Sequence, residues 1–323
     1  MPLDPQVEKI LYWAQRAGTP SFAQAGAQAA RELYNRTVLT LDIAARPMHE
    51  VHDHPVALPG RQITVRQYTP RPHTWAAPMP ALLYFHGGGF TIGSIDTHDR
   101  VCRMLAADAD CLVFSVDYRL APEHPFPAAV DDAFDSLHWL LREAASLGVD
   151  PARIAVGGDS AGGTLATATA IHARDEGIPL ALQLLIYPGT SGGQGSESHR
   201  RLAQGYLLDA DVIRWFFGNY VRSAVERDDW RFAPLNAPSL ARVAPAWMAL
   251  AEYDPLVDEG LDYAERLRTA GVPVACTVYE GMIHAFFQHA GFVVKARQAH
   301  ADACAALRSA FSGPAERGDE GAR

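Results

Sequence analysis

Short apolar runs alternate with longer amphipathic segments through most of this chain. Runs at 81–86, 111–117, 153–157, 181–187, 246–251 and 274–279 have the length and closure of strands buried on both faces. Between them, 97–108, 127–146, 161–175 and 257–270 carry apolar residues at helical spacing. Strand and helix in strict alternation predict a mostly parallel sheet with helices on both faces. Ahead of that alternation, 48–57 and 61–69 alternate apolar and polar positions around Pro59-Gly60 and predict a hairpin leading into the sheet. Residues 5–17, with Val7, Ile10, Leu11 and Ala14 on one face, and 21–35 predict two N-terminal helices.

The rhythm breaks at 189–235. A glycine-rich stretch, Gly189 to Ser196, leads there into a segment holding Leu208, Trp215, Phe216, Phe217 and Tyr220. An aromatic insertion between two strands suits a helical cap. The expected organisation is therefore N-terminal helices forming part of the cap (1–45), an α/β core (46–188 and 236–312), the cap insertion (189–235) and a small, charged, disordered tail (313–323). The glycine-rich stretch leaves the path of 189–206 into the cap open.

The sharpest chemical feature is Gly158-Asp159-Ser160-Ala161-Gly162, placed between a predicted strand and a predicted helix. A serine in that setting sits on a turn so tight that only small neighbours fit, and its hydroxyl stands clear of the sheet edge. The following helix aims its first N–H groups at the same spot. Upstream, the run ending at Phe85 opens into His86-Gly87-Gly88-Gly89-Phe90. Consecutive glycines let backbone N–H groups face a cleft, where they hold the oxyanion of an acyl-transfer intermediate. Gly87 and Gly88 are the expected upstream donors, with the N–H of Ala161 as the third.

A serine hydroxyl is a weak nucleophile and needs a base, which in turn needs an orienting carboxylate. In the strand–elbow–helix setting these follow in the order Ser, Asp or Glu, His. Asp254 lies just past the run at 246–251, with Pro255 holding it extended, and is the expected acid. Asp258 is the alternative, although it and Glu259 also suit the start of the next helix, where negative charge is favoured. His284, in Gly281-Met282-Ile283-His284-Ala285-Phe286, is the expected base and His289 the fallback.

These motifs, with Asp117-Tyr118-Arg119-Leu120-Ala121-Pro122-Glu123-His124-Pro125-Phe126-Pro127, resemble the hormone-sensitive-lipase-like branch of the α/β-hydrolases, the bacterial family IV esterases. The likeness spans about residues 40–312. It implies the α/β-hydrolase fold with a helical cap and a carboxylesterase using Ser160, Asp254 and His284, with Gly87, Gly88 and Ala161 as oxyanion donors. His86 and the Tyr118–Pro127 segment are then scaffold around the site. The expected substrate is a small ester with a short- to medium-chain acyl group. Deacetylase, lactonase or amidase chemistry on the same triad stays open. A non-catalytic receptor on this fold is disfavoured because His284 is retained.

Composition narrows the rest. The 323 residues suit one large domain, and 48% hydrophobic residues supply its core. A net charge of −9 with scattered Arg and Lys excludes a nucleic-acid partner. Cys102, Cys111, Cys276 and Cys304 have neither disulfide nor metal spacing. With no signal peptide and no apolar run of about 18 residues, the expected location is the cytoplasm. No cofactor and no metal are expected, and a homodimer is left open. His49, His52 and His54 read as surface histidines of the hairpin rather than ligands. Asp131, Asp132 and Asp135 read as charge complementing the front of a helix.

Overall fold

A computed structural model describes residues 2–72 and 77–312, so the expectation of a disordered tail at 313–323 lies outside the described residues. Eight strands form one sheet: β1 (Glu50–Leu58), β2 (Arg61–Thr69), β3 (Met79–Phe85), β4 (Leu112–Asp117), β5 (Val149–Asp159), β6 (Leu182–Ile186), β7 (Ala246–Tyr253) and β8 (Val274–Ile283). Their order across the sheet is β1-β2-β4-β3-β5-β6-β7-β8. The β1–β2 hairpin enters antiparallel and β2 meets β4 antiparallel, while every pairing from β4 to β8 is parallel.

Alternation along the strands sends side chains to two separate cores. Leu83, Phe85, Phe114, Val156, Leu185 and Met248 face one way, onto α5 (Ala128–Arg142), α7 (Ala161–Asp175) and α11 (Val257–Thr269). Leu82, Tyr84, Val113, Ala155, Leu184 and Trp247 face the other, onto α4 (Asp99–Ala109) and α12 (Val294–Phe311). Because β3 is buried at every position, both faces of the sheet are covered there.

The chain leaves β3 towards β4 on one side and leaves β5 towards β6 on the other. The carboxyl ends of these two neighbours therefore open a crevice between diverging connections, the place where such sheets bind ligands. The glycine loop after β3 and the turn after β5 both lie there.

The N-terminal part divides in two. Helix α1 (Pro5–Ala17), capped by Asp4, puts Val7 and Ile10 into the α12 side of the core and packs beside β8. The expected second helix is broken at Gly26, φ 79°, into α2 (Phe22–Ala25) and α3 (Ala27–Thr37). The remaining helices are α6 (Ala144–Leu147), α8 (Glu197–Arg201), α9 (Ala210–Tyr220) and α10 (Ala224–Asp228). Helix α9 meets α2 and α3 through Ala30, Val212 and Phe216, joined by Phe22, Tyr34, Leu208 and Trp215. Arg31 fastens α3 to the crevice wall. It donates to the carbonyls of Thr91 (2.8 Å) and Ala121 (2.8 Å) and forms a two-pronged pair with Glu123.

Two sequence expectations change here. Asp132 does not merely charge a helix front, because it is fully buried and pairs with both Arg61 and Arg119. Asp135 pairs with Arg61 as well. Asp258 and Glu259 do more than charge the start of α11. Asp258 accepts the Ser198 N–H (2.7 Å), and buried Glu259 accepts the N–H groups of Thr190 (2.6 Å) and Ser191 (3.1 Å). Together they set the path of the glycine-rich stretch into α8.

Candidate active site

Ser160 follows the last residue of β5 and precedes the first of α7, at φ 53° and ψ −119°. A side-chain-bearing residue rarely adopts this conformation, which carries strain on the order of 1–3 kcal/mol. Its neighbours show why they are glycines. A Cβ on Gly158 would run into the carbonyl of Gly162, and one on Gly162 would strike the Phe85 carbonyl. The Ser160 N–H is spent on the Ile186 carbonyl (2.9 Å), so the turn is tied to β6 while the hydroxyl stays free to face the crevice.

Asp254 and His284 reach the same point from the ends of β7 and β8. His284 Nε2 lies 2.9 Å from Ser160 Oγ, and His284 Nδ1 lies 2.7 Å from Asp254 Oδ2. A carboxylate only accepts, so Nδ1 carries the hydrogen and Nε2 presents its lone pair to the serine hydroxyl. The other oxygen of Asp254 accepts the Leu256 N–H (2.9 Å), which fixes the carboxylate plane. Asp254 and His284 are buried, whereas Ser160 is half-exposed. Tyr187 packs its ring 4.8 Å from that of His284. The two alternatives do not reach this point. Asp258 is committed to Ser198, and His289 is buried in apolar surroundings that push its pKa down to about 4.

The glycine loop requires a correction. Gly87 is buried, and its N–H donates to Asp159 Oδ1 at 3.0 Å, with His98 Nε2 at 3.3 Å. That donor is aimed inward, away from the crevice. Gly88 and Gly89 are half-buried, and their N–H groups, like that of Ala161, donate to no group among the described residues. Gly88, at φ 121°, takes a conformation that favours glycine. A Cβ on Gly89 would meet the ring of Phe216, which comes down from α9 onto the loop.

Sequence reasoning missed the support behind this loop. Asp159 is buried beneath it and also accepts from the Tyr84 hydroxyl (2.7 Å). Burial works against its ionisation, but the neighbouring His98, together with Tyr84, holds its pKa below the usual carboxylate range. His98 in turn lies 3.0 Å from the Gln288 amide nitrogen, and the Tyr34 hydroxyl donates to Gln288 Oε1 (2.9 Å). A continuous polar path thus runs from α3 to the carboxylate under the loop. His86 stacks flat on Tyr118, ring centroids 4.2 Å apart, and the Tyr118 hydroxyl donates to the His86 carbonyl (2.7 Å). Burial, chiefly, pushes the His86 pKa down to about 3, so the ring stays neutral packing.

The sequence profile of a family described by its alpha/beta hydrolase fold matches residues 82–288. The chain belongs to the α/β-hydrolase family. Within it the chain falls in the hormone-sensitive-lipase-like branch, as the resemblance of its motifs implied. Esterase LipI of Mycobacterium tuberculosis is 41% identical over 280 residues, covering 84% of this chain and 87% of that protein. Ethyl acetate hydrolase of Pseudomonas putida is 43% identical over 239 residues, covering 73% of this chain and 75% of that protein. Among solved structures, the hyperthermophilic esterase of the archaeon Pyrobaculum calidifontis superposes with a TM-score of 0.90 at 39% identity, covering 96% of this chain and 99% of that one.

The α2–α3 pair and α9 meet over the glycine loop through Phe22, Tyr34 and Phe216, while α1 packs away from them beside β8. No helix among the described residues is long and apolar enough to cross a membrane. The histidines of the hairpin form no three-ligand group among the described residues. His54 pairs with Gln67 (2.8 Å) and packs beside Trp139.

Proposed function

We propose that this α/β-hydrolase is a carboxylesterase that works through a covalent acyl-enzyme on Ser160. The hydroxyl attacks the ester carbonyl while His284 Nε2 takes its proton. Asp254 keeps the imidazole in the required tautomer and stabilises the imidazolium that forms. The carbonyl oxygen, now an oxyanion, is held by the N–H groups of Gly88, Gly89 and Ala161. The tetrahedral intermediate collapses, the alcohol leaves with the proton from His284, and the acyl group stays on Ser160. Water activated by His284 then attacks the acyl-enzyme, and a second collapse returns the free serine and a carboxylic acid. Every proton passes through His284, and no cofactor enters the cycle.

One observation carries this reading: a single imidazole bridges Ser160 Oγ and Asp254 Oδ2 at 2.9 and 2.7 Å, beside three N–H groups that donate to no group among the described residues. The three similar proteins named above are an esterase, an ethyl acetate hydrolase and an esterase by name, which supports the same reaction class. A retained imidazole in bonding contact with the serine speaks against a non-catalytic receptor.

The covering layer argues for a small acyl group. Phe216 rests on the glycine loop, and Phe22, Tyr34 and Trp215 close around it. Under an aromatic roof of this kind an extra methylene adds about 0.8 kcal/mol of binding only while there is room for it. Acyl chains of roughly two to eight carbons fit that limit. The relative named for ethyl acetate points the same way. Four unpaired cysteines, three of them buried, suit a reducing cytoplasm.

The test is kcat/KM on aryl esters of graded acyl length for the native enzyme and for Ser160→Ala. The native enzyme should prefer short acyl groups and fall steeply beyond them, and the variant should be folded and nearly inert. A preference for long-chain triglycerides contradicts the roofed site. A variant keeping more than a few per cent of activity contradicts the nucleophile.

A further inference from the structure

The helix that begins at Ser160 ends in a second cluster of chemically capable side chains. His172 and Glu176 stand one turn apart at the end of α7 and face His138 on α5. His138 Nε2 lies 2.7 Å from Glu176 Oε2, and His172 Nε2 lies 3.3 Å from Glu176 Oε1. All three donor atoms fall within 4.8 Å of one another, the one such grouping among the described residues.

Two features distinguish it from a chance surface cluster. His172 Nε2 is buried yet has no hydrogen-bond partner, since its approach to Glu176 misses the bonding direction. The ring is also locked in place. Phe134 stacks flat on it with centroids 4.0 Å apart and planes 2° apart, and His138 meets it edge-on at 5.3 Å. The positive charges flanking the cluster are engaged elsewhere: Arg174 pairs with Asp175 and Arg61 with Asp135.

We propose that His138, His172 and Glu176 bind a divalent cation of the zinc class, with water completing the coordination. Two imidazoles and one carboxylate are a donor set that suits zinc and cobalt. Ligand atoms about 2.0–2.2 Å from a tetrahedral ion stand roughly 3.3–3.5 Å apart. The His172–Glu176 separation of 3.3 Å already meets that spacing. His138 bonds the other carboxylate oxygen, Oε2, at 2.7 Å, so with Oε1 as the ligand that hydrogen bond is given up and the side chains of His138 and Glu176 readjust as the ion binds. Both side chains are partly exposed, at 37% and 45%, and have the freedom to move. Ser160 lies sixteen positions back along the helix, roughly 24 Å at its rise per residue. The ion therefore takes no part in ester chemistry and instead fastens α5 to α7.

The experiment titrates chelator-treated, dialysed full-length protein with cobalt and then zinc. One equivalent of cobalt should bind and give the visible absorption of a four-coordinate ion, zinc should displace it, and Tm should rise with zinc concentration. His138→Ala and Glu176→Gln, both at partly exposed positions, should each bind at least tenfold more weakly and lose the Tm response. Their metal-free Tm and their ester hydrolysis should match the native protein. The proposal is overturned by the absence of any binding or Tm response in the native protein. It is equally overturned if cobalt binding survives in both variants, or shows the charge-transfer band of a thiolate, which would move the ion to a cysteine such as half-buried Cys276.

Discussion

Replacing Asp159 by alanine tests whether the glycine loop is held from beneath. The carboxylate is buried and Oδ1 accepts two hydrogen bonds, from the Gly87 N–H at 3.0 Å and the Tyr84 hydroxyl at 2.7 Å. In Asp159→Ala the buried Tyr84 hydroxyl loses the acceptor it uses there, and the Gly87 N–H keeps only the longer contact to His98 at 3.3 Å. A buried donor without its acceptor costs about 1–3 kcal/mol, so the loss at Tyr84 alone predicts about 1–3 kcal/mol of stability, with a smaller loss from the weakened Gly87 contact. The catalytic effect is separate. Gly88 and Gly89 follow directly on Gly87, and a loop no longer pinned there puts at least one oxyanion donor out of place. Loss of one such donor lowers turnover by about 10²–10³. The ground-state ester does not yet carry the oxyanion, so KM should change little. Asp159→Asn is the control. It keeps an oxygen for both donors and should lose less than about tenfold. The assay is steady-state hydrolysis of a short aryl ester, at a temperature where circular dichroism shows all three proteins folded. If Asp159→Ala turns over within a few-fold of the native enzyme, the carboxylate does not hold the loop and the reasoning from Gly87 fails.

Two further outcomes follow from the same geometry. Asp254→Asn should depress kcat severely with little change in KM, because the amide cannot fix the required imidazole tautomer, whereas Asp258→Asn should mainly lower Tm by loosening Ser198; steady-state kinetics and thermal melts on both distinguish them, and a crippled Asp258→Asn beside an active Asp254→Asn would reverse the assignment. Glu259 makes stability depend on pH. Burial, outweighing the N–H groups of Thr190 and Ser191, raises its pKa from 4.5 to about 8. The folded state then binds this proton more tightly than the unfolded chain does, so the contribution is complete below about 4.5 and is lost as pH rises through about 8. Urea unfolding at pH 5 and pH 9 should show the native protein losing, on the order of, a few kcal/mol more than Glu259→Gln between the two. Equal losses would mean that Glu259 titrates normally.

Features whose physics is local were legible in the sequence. The elbow at Ser160 was readable because Gly158 and Gly162 have no room for a Cβ, a constraint of a single turn. Apolar runs such as Ala81–Phe85 marked strands buried on both faces, and Asp254 stood just past another, whereas β8, which leads to His284, is mostly half-buried or exposed along 274–279. What escaped depends on partners distant in the chain. Three glycines in a row do not say which N–H faces the crevice. Asp159, 72 positions away, draws in the N–H of Gly87, while those of Gly88 and Gly89 donate to no group among the described residues. Glu259 carries the same charge pattern as a helix-start residue, but its role as a buried anchor depends on Thr190, 69 positions away. The 21–35 segment read as one helix because Gly26 breaks no apolar pattern, although its φ of 79° ends one helix and begins another. Helix α12 was not singled out, since three of the seven residues it buries are alanines, which give little contrast to their neighbours.

The account stands or falls on a covalent bond at Ser160. The direct measurement incubates the native enzyme with an aryl phosphonate, which mimics the tetrahedral intermediate and stays on the nucleophile, then determines intact mass and maps the labelled peptide. The account predicts one label per chain, on Ser160, gained in step with loss of ester hydrolysis, and none on Ser160→Ala. Complete inactivation with the label on another residue, or full labelling of Ser160 with activity intact, would contradict it.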